Sequence, residues 1–211
     1  WNWKANGSGS SNTNGSITST VSANADAGFS IVTYTGTGNN STVGHGLSKA
    51  PEWLVVKRRN VAGGWAVYDK INGATKLYSL QATEPAYASS NVWNNTEPTN
   101  SLFTVGENGV VNANTGTYLA YCFHSVDGYS KVGSYEGNAN ADGSFVYTGF
   151  RPAYILIKNV DAYEPFVIQD TSRSPFNPRD DVLFANTSGA ETDWASYPLD
   201  ILSNGFKPRN T

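Results

Sequence analysis

Ala50-Pro51-Glu52-Trp53-Leu54-Val55-Val56-Lys57 returns later in the chain as Arg151-Pro152-Ala153-Tyr154-Ile155-Leu156-Ile157-Lys158. Each copy has a proline, one intervening residue, an aromatic, three aliphatics and a lysine. A short β-branched and aromatic run entered through proline reads as a strand. The echo extends outward. Gly28-Phe29-Ser30 recurs as Gly128-Tyr129-Ser130, and Tyr34-Thr35-Gly36 as Tyr135-Glu136-Gly137. Gly46-Leu47 recurs as Gly149-Phe150, and Trp65-Ala66-Val67-Tyr68-Asp69 as Phe166-Val167-Ile168-Gln169-Asp170. The offset stays between 100 (Gly28 to Gly128) and 103 (Gly46 to Gly149) residues. That period is too long for a solenoid and fits a duplicated half-sandwich or two tandem β units.

Other runs have the same character. Phe29-Ser30-Ile31-Val32-Thr33-Tyr34 stops at Gly36-Thr37-Gly38-Asn39-Asn40, and Trp65-Ala66-Val67-Tyr68 follows Gly63-Gly64. Lys76-Leu77-Tyr78-Ser79-Leu80 alternates, and Leu102-Phe103-Thr104-Val105 ends at Gly106-Glu107-Asn108-Gly109. Tyr118-Leu119-Ala120-Tyr121-Cys122-Phe123 is continuously apolar, as expected of a strand covered on both faces. Helical periodicity never exceeds about two turns. The expected fold is all-β: an antiparallel β-sandwich, jelly-roll or lectin-like, built from two pseudo-repeats of about 100 residues.

The expected organisation is an N-terminal linker or extended arm over residues 1–27, a first repeat over 28–127 and a second over 128–211, packed as one unit. Residues 6–27 are almost all Gly, Ser, Asn, Thr and Ala, too polar to offset their own ordering entropy. Ile17 and Val21 favour a short docked strand, and Trp1 and Trp3 share one face of any strand there. The second repeat lacks a counterpart of residues 118–123, so the natural chain is expected to continue past Thr211 with one more apolar strand. Zero Met and a start at Trp1 read as a fragment or processed product, and no signal peptide opens the chain.

Composition removes several function classes. Lys+Arg 14 against Asp+Glu 17 gives a charge of −3, which lacks the basic footprint of a nucleic-acid binder. No run approaches 18 apolar residues, so membrane insertion is not expected. One Cys builds neither a disulfide framework nor a Cys-based zinc site. Nothing calls for a cofactor.

Catalytic signals are sparse. His45, between Gly44 and Gly46, and His124 are the imidazole bases, and both read as turn or strand-end histidines. Cys122 reads as a buried small hydrophobe. No Gly-x-Ser-x-Gly elbow is present. Glycoside hydrolysis needs two carboxylates about 5–10 Å apart, and the acidic residues are scattered. Asp69 and Asp170 hold equivalent repeat positions, which suits a turn role. No catalytic residue is assigned, and an enzyme is not expected. Asn138, Asn140 and Asp142, followed by Gly143, resemble the start of a calcium loop, but the downstream carboxylate position is Gly149 and Asn/Asp-Gly turn chemistry also explains them.

Binding has better material. Aromatic faces suit the apolar side of a pyranose, and amides and carboxylates suit its hydroxyls. Trp53 and Trp65 align with Tyr154 and Phe166, so they are core. Trp93, with Asn94 and Asn95, and Trp194, with Tyr197, lie in polar loops and are the candidate glycan-binding residues. The alternative for such residues is a loop aromatic plugging the end of the sandwich. The sequons at Asn40, Asn94 and Asn186 arise readily in so polar a chain.

The motifs also resemble a known family. These are Ser16-Ile17-Thr18-Ser19-Thr20-Val21-Ser22-Ala23-Asn24, Gly28 to Gly38, Val43-Gly44-His45-Gly46-Leu47, residues 118–123, Gly128 to Tyr135, Phe145 to Pro152 and Leu202 to Lys207. Together they closely resemble a repeated β domain of marine tailed-phage, cyanophage-like, tail-fibre and appendage proteins. The resemblance covers nearly the whole chain. It implies a virion location, other virion proteins and host-surface glycan as partners, and a homo-oligomer, a trimer being common in such fibres. It carries no established catalytic or ligand residue. Family members tend to continue past Phe206-Lys207 with a closing apolar strand. A purely structural spacer or capsid-decorating module, and a glycan-cleaving enzyme, are the competing expectations.

Overall fold

The apolar run 118–123 becomes the centre of a sheet. In the computed structural model, which describes residues 2–210, it lies in the first of two units, formed by residues 2–80 and 86–126. Trp1 and Thr211 lie outside the described residues, and with them the Trp1 part of the expected aromatic pair. The strands of this unit are β1 (Ser10–Asn12), β2 (Ser19–Asn24), β3 (Phe29–Thr35), β4 (Ser41–Gly44), β5 (Trp53–Arg58), β6 (Trp65–Asp69), β7 (Lys76–Ser79), β8 (Tyr87–Ala88), β9 (Leu102–Val105) and β10 (Thr117–Phe123). A single turn of helix, α1 (Gly109–Asn112), precedes β10.

Eight strands pair in the order β1-β2-β3-β10-β5-β6-β7-β8, while β4 and β9 form a second sheet. Every ladder between these strands is antiparallel. Strand β10 sits between β3 and β5, with Cys122 opposite both Ser30 and Leu54. The two-residue period of a strand then sorts its side chains. Tyr118, Ala120 and Cys122 are buried, while Leu119, Tyr121 and Phe123 are half-buried. Full cover on both faces, expected from the unbroken apolar run, is therefore met on one face only. The core joins the two sheets: Val32, Val56 and Tyr118 cluster with Val43, Phe103 and Val105. Each such side chain contributes about 1.5–3 kcal/mol on burial. Two tyrosine hydroxyls fasten α1 over this core, Tyr34 to the Val111 carbonyl and Tyr118 to the Gly109 carbonyl, each at 2.7 Å.

The polar stretch 6–27 is part of the sheet rather than a linker. It supplies β1 and β2, and β2 pairs with β3 over five residue pairs. Backbone ladder bonds order it where composition offers little apolar area; Ile17 and Val21 enter the core and Ala23 packs against it.

The second unit, residues 81–85 and 127–210 of those described, carries β11 (Val146–Tyr147), β12 (Tyr154–Ile157), β13 (Val167–Asp170), β14 (Asp181–Phe184), β15 (Thr192–Asp193), β16 (Leu199–Leu202) and β17 (Gly205–Pro208). Its sheets run β12-β13-β14-β15 and β11-β17-β16. Ile155 and Ile157 meet Leu199, Ile201, Phe206 and Val146 in a smaller core. The expected class, an all-β antiparallel sandwich, is what forms.

A four-stranded meander occurs in both units with one register. Trp53 faces Asp69 as Tyr154 faces Asp170, and Lys76 faces Ala88 as Asp181 faces Asp193. Its hairpins close alike. Lys57 lies 5.4 Å over the Trp65 ring and donates to the Gly63 carbonyl. Lys158 lies 5.9 Å over the Phe166 ring and donates to the Glu164 carbonyl at 2.7 Å. The surrounding strands do not recur. Residues 129–136, aligned with β3, form no strand beyond a bridge residue at Ser130. Strand β3 is held by β2 and β10, and no described strand of the second unit takes the place of β10.

Asp69 and Asp170 show what repeats with the meander. Asp69 Oδ1 accepts from the N–H groups of Ile71 (2.8 Å) and Asn72 (3.0 Å). Asp170 Oδ1 accepts from those of Ser172 (2.8 Å) and Arg173 (2.9 Å). Both carboxylates are turn caps. Asp69→Ala and Asp170→Ala are each expected to cost about 1–2 kcal/mol, measured by urea unfolding. Asp170→Ala should cost more, because Arg173 Nε, 2.6 Å from Asp170 Oδ2, also loses its partner. Equal unfolding midpoints for both variants and the parent would refute the capping role.

Candidate functional site

Trp93 is core, not surface. Only 2% of it is exposed, and it packs with Val92, Ala74 and Leu77 and edge-on to Tyr68 at 6.1 Å. Asn94 and Asn95 adopt φ of 50° and 48°, and Thr96 N–H bonds back to the Trp93 carbonyl at 3.1 Å. That is a tight turn with two successive left-handed residues, a conformation asparagine tolerates. Trp93, Asn94 and Asn95 therefore do not form a sugar platform. The turn directs the indole inward to close the end of the sandwich, leaving the two amides exposed.

The other proposed pair does form a surface cluster. Trp194 follows β15 in the turn 194–197, closed by Tyr197 N–H on the Trp194 carbonyl at 3.0 Å. Its ring stands edge-on to Phe184, at the end of β14, at 5.2 Å and to Tyr197 at 6.0 Å. Phe184 and Tyr197 are themselves 6.1 Å apart. Trp194 remains 42% exposed. Tyr197 donates through its hydroxyl to Glu164 Oε2 at 2.7 Å, and its carbonyl accepts from Gln169 Nε2 at 2.8 Å. Burial first, then the Glu164 hydrogen bond and charge, push the Tyr197 phenol up to about 12, so it stays protonated and can keep donating. Beside Glu164 in sequence, Tyr163 is 72% exposed. The hairpin is braced by Arg173, which bridges Asp170 and Glu191 at 2.6 and 3.0 Å. Phe184 and Glu164 carried no separate signal in the sequence, because tertiary contacts bring the first to Trp194 and the second to Tyr197.

The calcium-loop reading fails on the donors. Asn140 Oδ1 accepts from Asp142 N–H at 2.8 Å, and Asn138 presents its Nδ2 to the Asp142 carbonyl at 3.0 Å. Asp142 is held by Lys207 and, at 3.4 Å, by Arg209. Two protein cations thus occupy the charge a metal would need. Asn138, Asn140 and Asp142 form a turn, and no cluster of three His, Cys, Asp or Glu side chains able to hold a metal occurs among the described residues. The same turn lines an open groove of about 620 Å³ with Pro178, Pro198, Asp200 and Arg209. Arg209 Nε pairs with Asp200 at 3.0 Å, so both groove carboxylates share one guanidinium. The Lys207 hydrogen bond holds the Asp142 carboxyl below its usual range, the opposite of a catalytic acid.

Residues 1–211 match the family described as Domain of unknown function (DUF7483). The chain belongs to that family. No curated protein and no solved structure matches it.

In this DUF7483 chain both histidines and the cysteine are buried. His45 is fully buried; its Nδ1 accepts from Leu47 N–H at 3.1 Å, so its Nε2–H donates to the Thr99 carbonyl at 3.0 Å. Gly46 turns at φ +71°, and a Cβ there would lie 2.6 Å from Val21, which explains the glycine after the histidine. His124 is 4% exposed, with Nδ1 against the Ser125 carbonyl at 2.9 Å. Burial pushes the Cys122 thiol up to about 12, leaving it protonated and inert as a nucleophile.

Proposed function

We propose that this DUF7483 domain is a non-catalytic virion appendage module of the tail-fibre kind that presents the 194–197 turn to host-surface glycan. The observation that carries the reading is the Phe184–Trp194–Tyr197 cluster. It is an indole 42% exposed and held by two rings, with Glu164 on the Tyr197 hydroxyl and Glu191, three residues before the tryptophan, paired with Arg173. A rigid aromatic face with carboxylate acceptors beside it matches the two faces of a sugar ring. The low charge suits contact with neutral polysaccharide, and the motif resemblance supplies the virion setting, the oligomer and the neighbouring virion proteins.

The test is a glycan array and a host-cell binding assay with the intact assembly. Trp194→Ala is expected to weaken binding at least tenfold, the order lost with a central aromatic contact. Binding that survives unchanged would refute the platform. A spacer or capsid-decorating role is the second reading, favoured by Phe176 and Tyr147, 81% and 66% exposed, as surfaces for neighbouring subunits. A position on the capsid shell or in the fibre shaft, rather than at the distal tip, would select it.

A further inference from the structure

Arg179 is a charged side chain inside the second unit, 1% exposed. Its backbone is pinned. Its N–H donates to the Leu199 carbonyl at 2.7 Å, and its carbonyl accepts from Leu199 N–H and from Gln169 Nε2, each at 2.9 Å. Its Nη2 donates to the Pro175 carbonyl at 3.0 Å, while Nε and Nη1 meet no acceptor of the protein. Buried donors of a charged group are costly to leave unpaired. Arg173 and Arg209 show the usual solution: the first bridges Asp170 and Glu191, the second Asp142 and Asp200. Asp170, the carboxylate whose charge reaches Arg179, is spent on Arg173 and on two turn N–H groups. A second cation stands near instead. The Ala153 carbonyl accepts from Thr171 N–H at 3.0 Å, which sets segment 151–153 beside the loop that carries the Pro175 carbonyl. Arg151 is exposed at the start of that segment, and its charge acts on Arg179. Burial first, then Arg151, lower the Arg179 pKa from its usual value, with Asp170 opposing. Among the described residues neither Arg151 nor Arg179 makes an ion pair.

We propose that Arg179 and Arg151 form a binding site for a tetrahedral oxyanion, a phosphate group. The charge count selects that class. Two guanidinium charges without a protein carboxylate match a phosphate group, which carries about 1.5–2 negative charges at neutral pH. A single carboxylate would leave one of them uncompensated. The donor count agrees, since Nε and Nη1 together carry several N–H groups and a phosphate presents several acceptor oxygens. Guanidinium keeps its charge at every working pH, so the demand for an anion is permanent. Arg179 supplies the fixed inner donors and exposed Arg151 the second charge. The site is independent of the glycan reading, since it uses the side chain of neither Trp194 nor Tyr197.

The test is calorimetric titration of the whole chain with inorganic phosphate at fixed ionic strength, repeated with glucose 6-phosphate. Saturable binding of phosphate is expected, with the urea midpoint rising as the site fills. Arg151→Ala, a change at an exposed position, should bind roughly tenfold more weakly. Arg179→Met replaces the buried charge with an apolar chain; it should abolish binding and leave a urea midpoint that no longer responds to phosphate. Should that variant fail to fold, Arg151→Ala decides alone. Its control is Lys49→Ala, which removes an exposed cation of the first unit and should bind like the parent. Glucose 6-phosphate binding as tightly as phosphate supports a site for the group carried on a larger molecule, and binding of inorganic phosphate alone supports a site for the free ion. No saturable binding, parent-like binding by Arg151→Ala or Arg179→Met, or equal weakening by Lys49→Ala, overturns the proposal. Trp194→Ala should leave phosphate binding at the parent level, so this site and the glycan platform fail separately.

Discussion

Trp93→Ala is expected to lower the free energy of unfolding by about 3–5 kcal/mol, the cost of deleting a fully buried large aromatic. The ring fills the core between Ala74, Leu77 and Tyr68, so its removal leaves a cavity that neighbouring strands close only in part. Its indole N–H makes no hydrogen bond, so packing accounts for the whole loss. The expected readout is a large shift of the urea midpoint, seen equally by fluorescence and circular dichroism. Glycan binding by the folded fraction should stay at the parent level. Trp194→Ala makes the contrast, losing about 1 kcal/mol of edge-on ring contact and most of the proposed binding. Parent-like stability of Trp93→Ala would show that the indole is not core.

His45→Leu is expected to cost about 2–3 kcal/mol, because it orphans the Leu47 N–H and the Thr99 carbonyl. It should also change the pH profile. Burial, opposed by the Thr99 hydrogen bond and helped by nearby His124, lowers the His45 pKa from its usual 6.5. The unfolded chain then binds a proton in a range where the folded chain does not. His45's contribution is therefore full above about pH 6.5 and is lost as pH falls from there through its folded pKa. Glu52 acts in a lower window. Burial opposes its ionisation, but hydrogen bonds from Lys70 and Ser125 prevail and hold its carboxyl below 4.5. Its contribution is present above that value and is lost as pH falls through the lowered one. Urea midpoints measured from pH 7.5 to 3 should fall in two stages, with the upper stage absent in His45→Leu. An unaltered upper stage in that variant would refute the assignment.

The reach of the sequence is clearest at the paired positions. Trp53 and Trp65, aligned with Tyr154 and Phe166, read as core; they do lie on β5 and β6, but both are half-buried and stand outside the buried core. Asp69 and Asp170 read as turn residues, and their carboxylates cap the same turn in each meander. Cys122 read as a buried hydrophobe, and it is one. Local chemistry decides each of these, through alternation, turn bonding and apolar volume. Trp93 defeated that reasoning, while Trp194 is exposed as expected. Each lies in a polar stretch, so composition predicted exposure for both. What separates them is the twin-asparagine turn that drives one ring inward and the hairpin that leaves the other outside.

Residues 6–27 and 138–142 show the same limit. The first read as a linker or extended arm, with Ile17 and Val21 favouring a short docked strand, and it supplies two strands, because a ladder partner orders a chain that cannot order itself. The second resembled a metal loop until Lys207 and Arg209, more than sixty residues away in sequence, arrived at Asp142. By itself, then, the sequence determined an all-β class and several of the apolar strands, because such a strand announces itself through neighbours one and two residues away. The tertiary structure alone decided which aromatic faces solvent and which carboxylate meets a cation. Those outcomes depend on residues distant in the chain, and no local pattern encodes who they are.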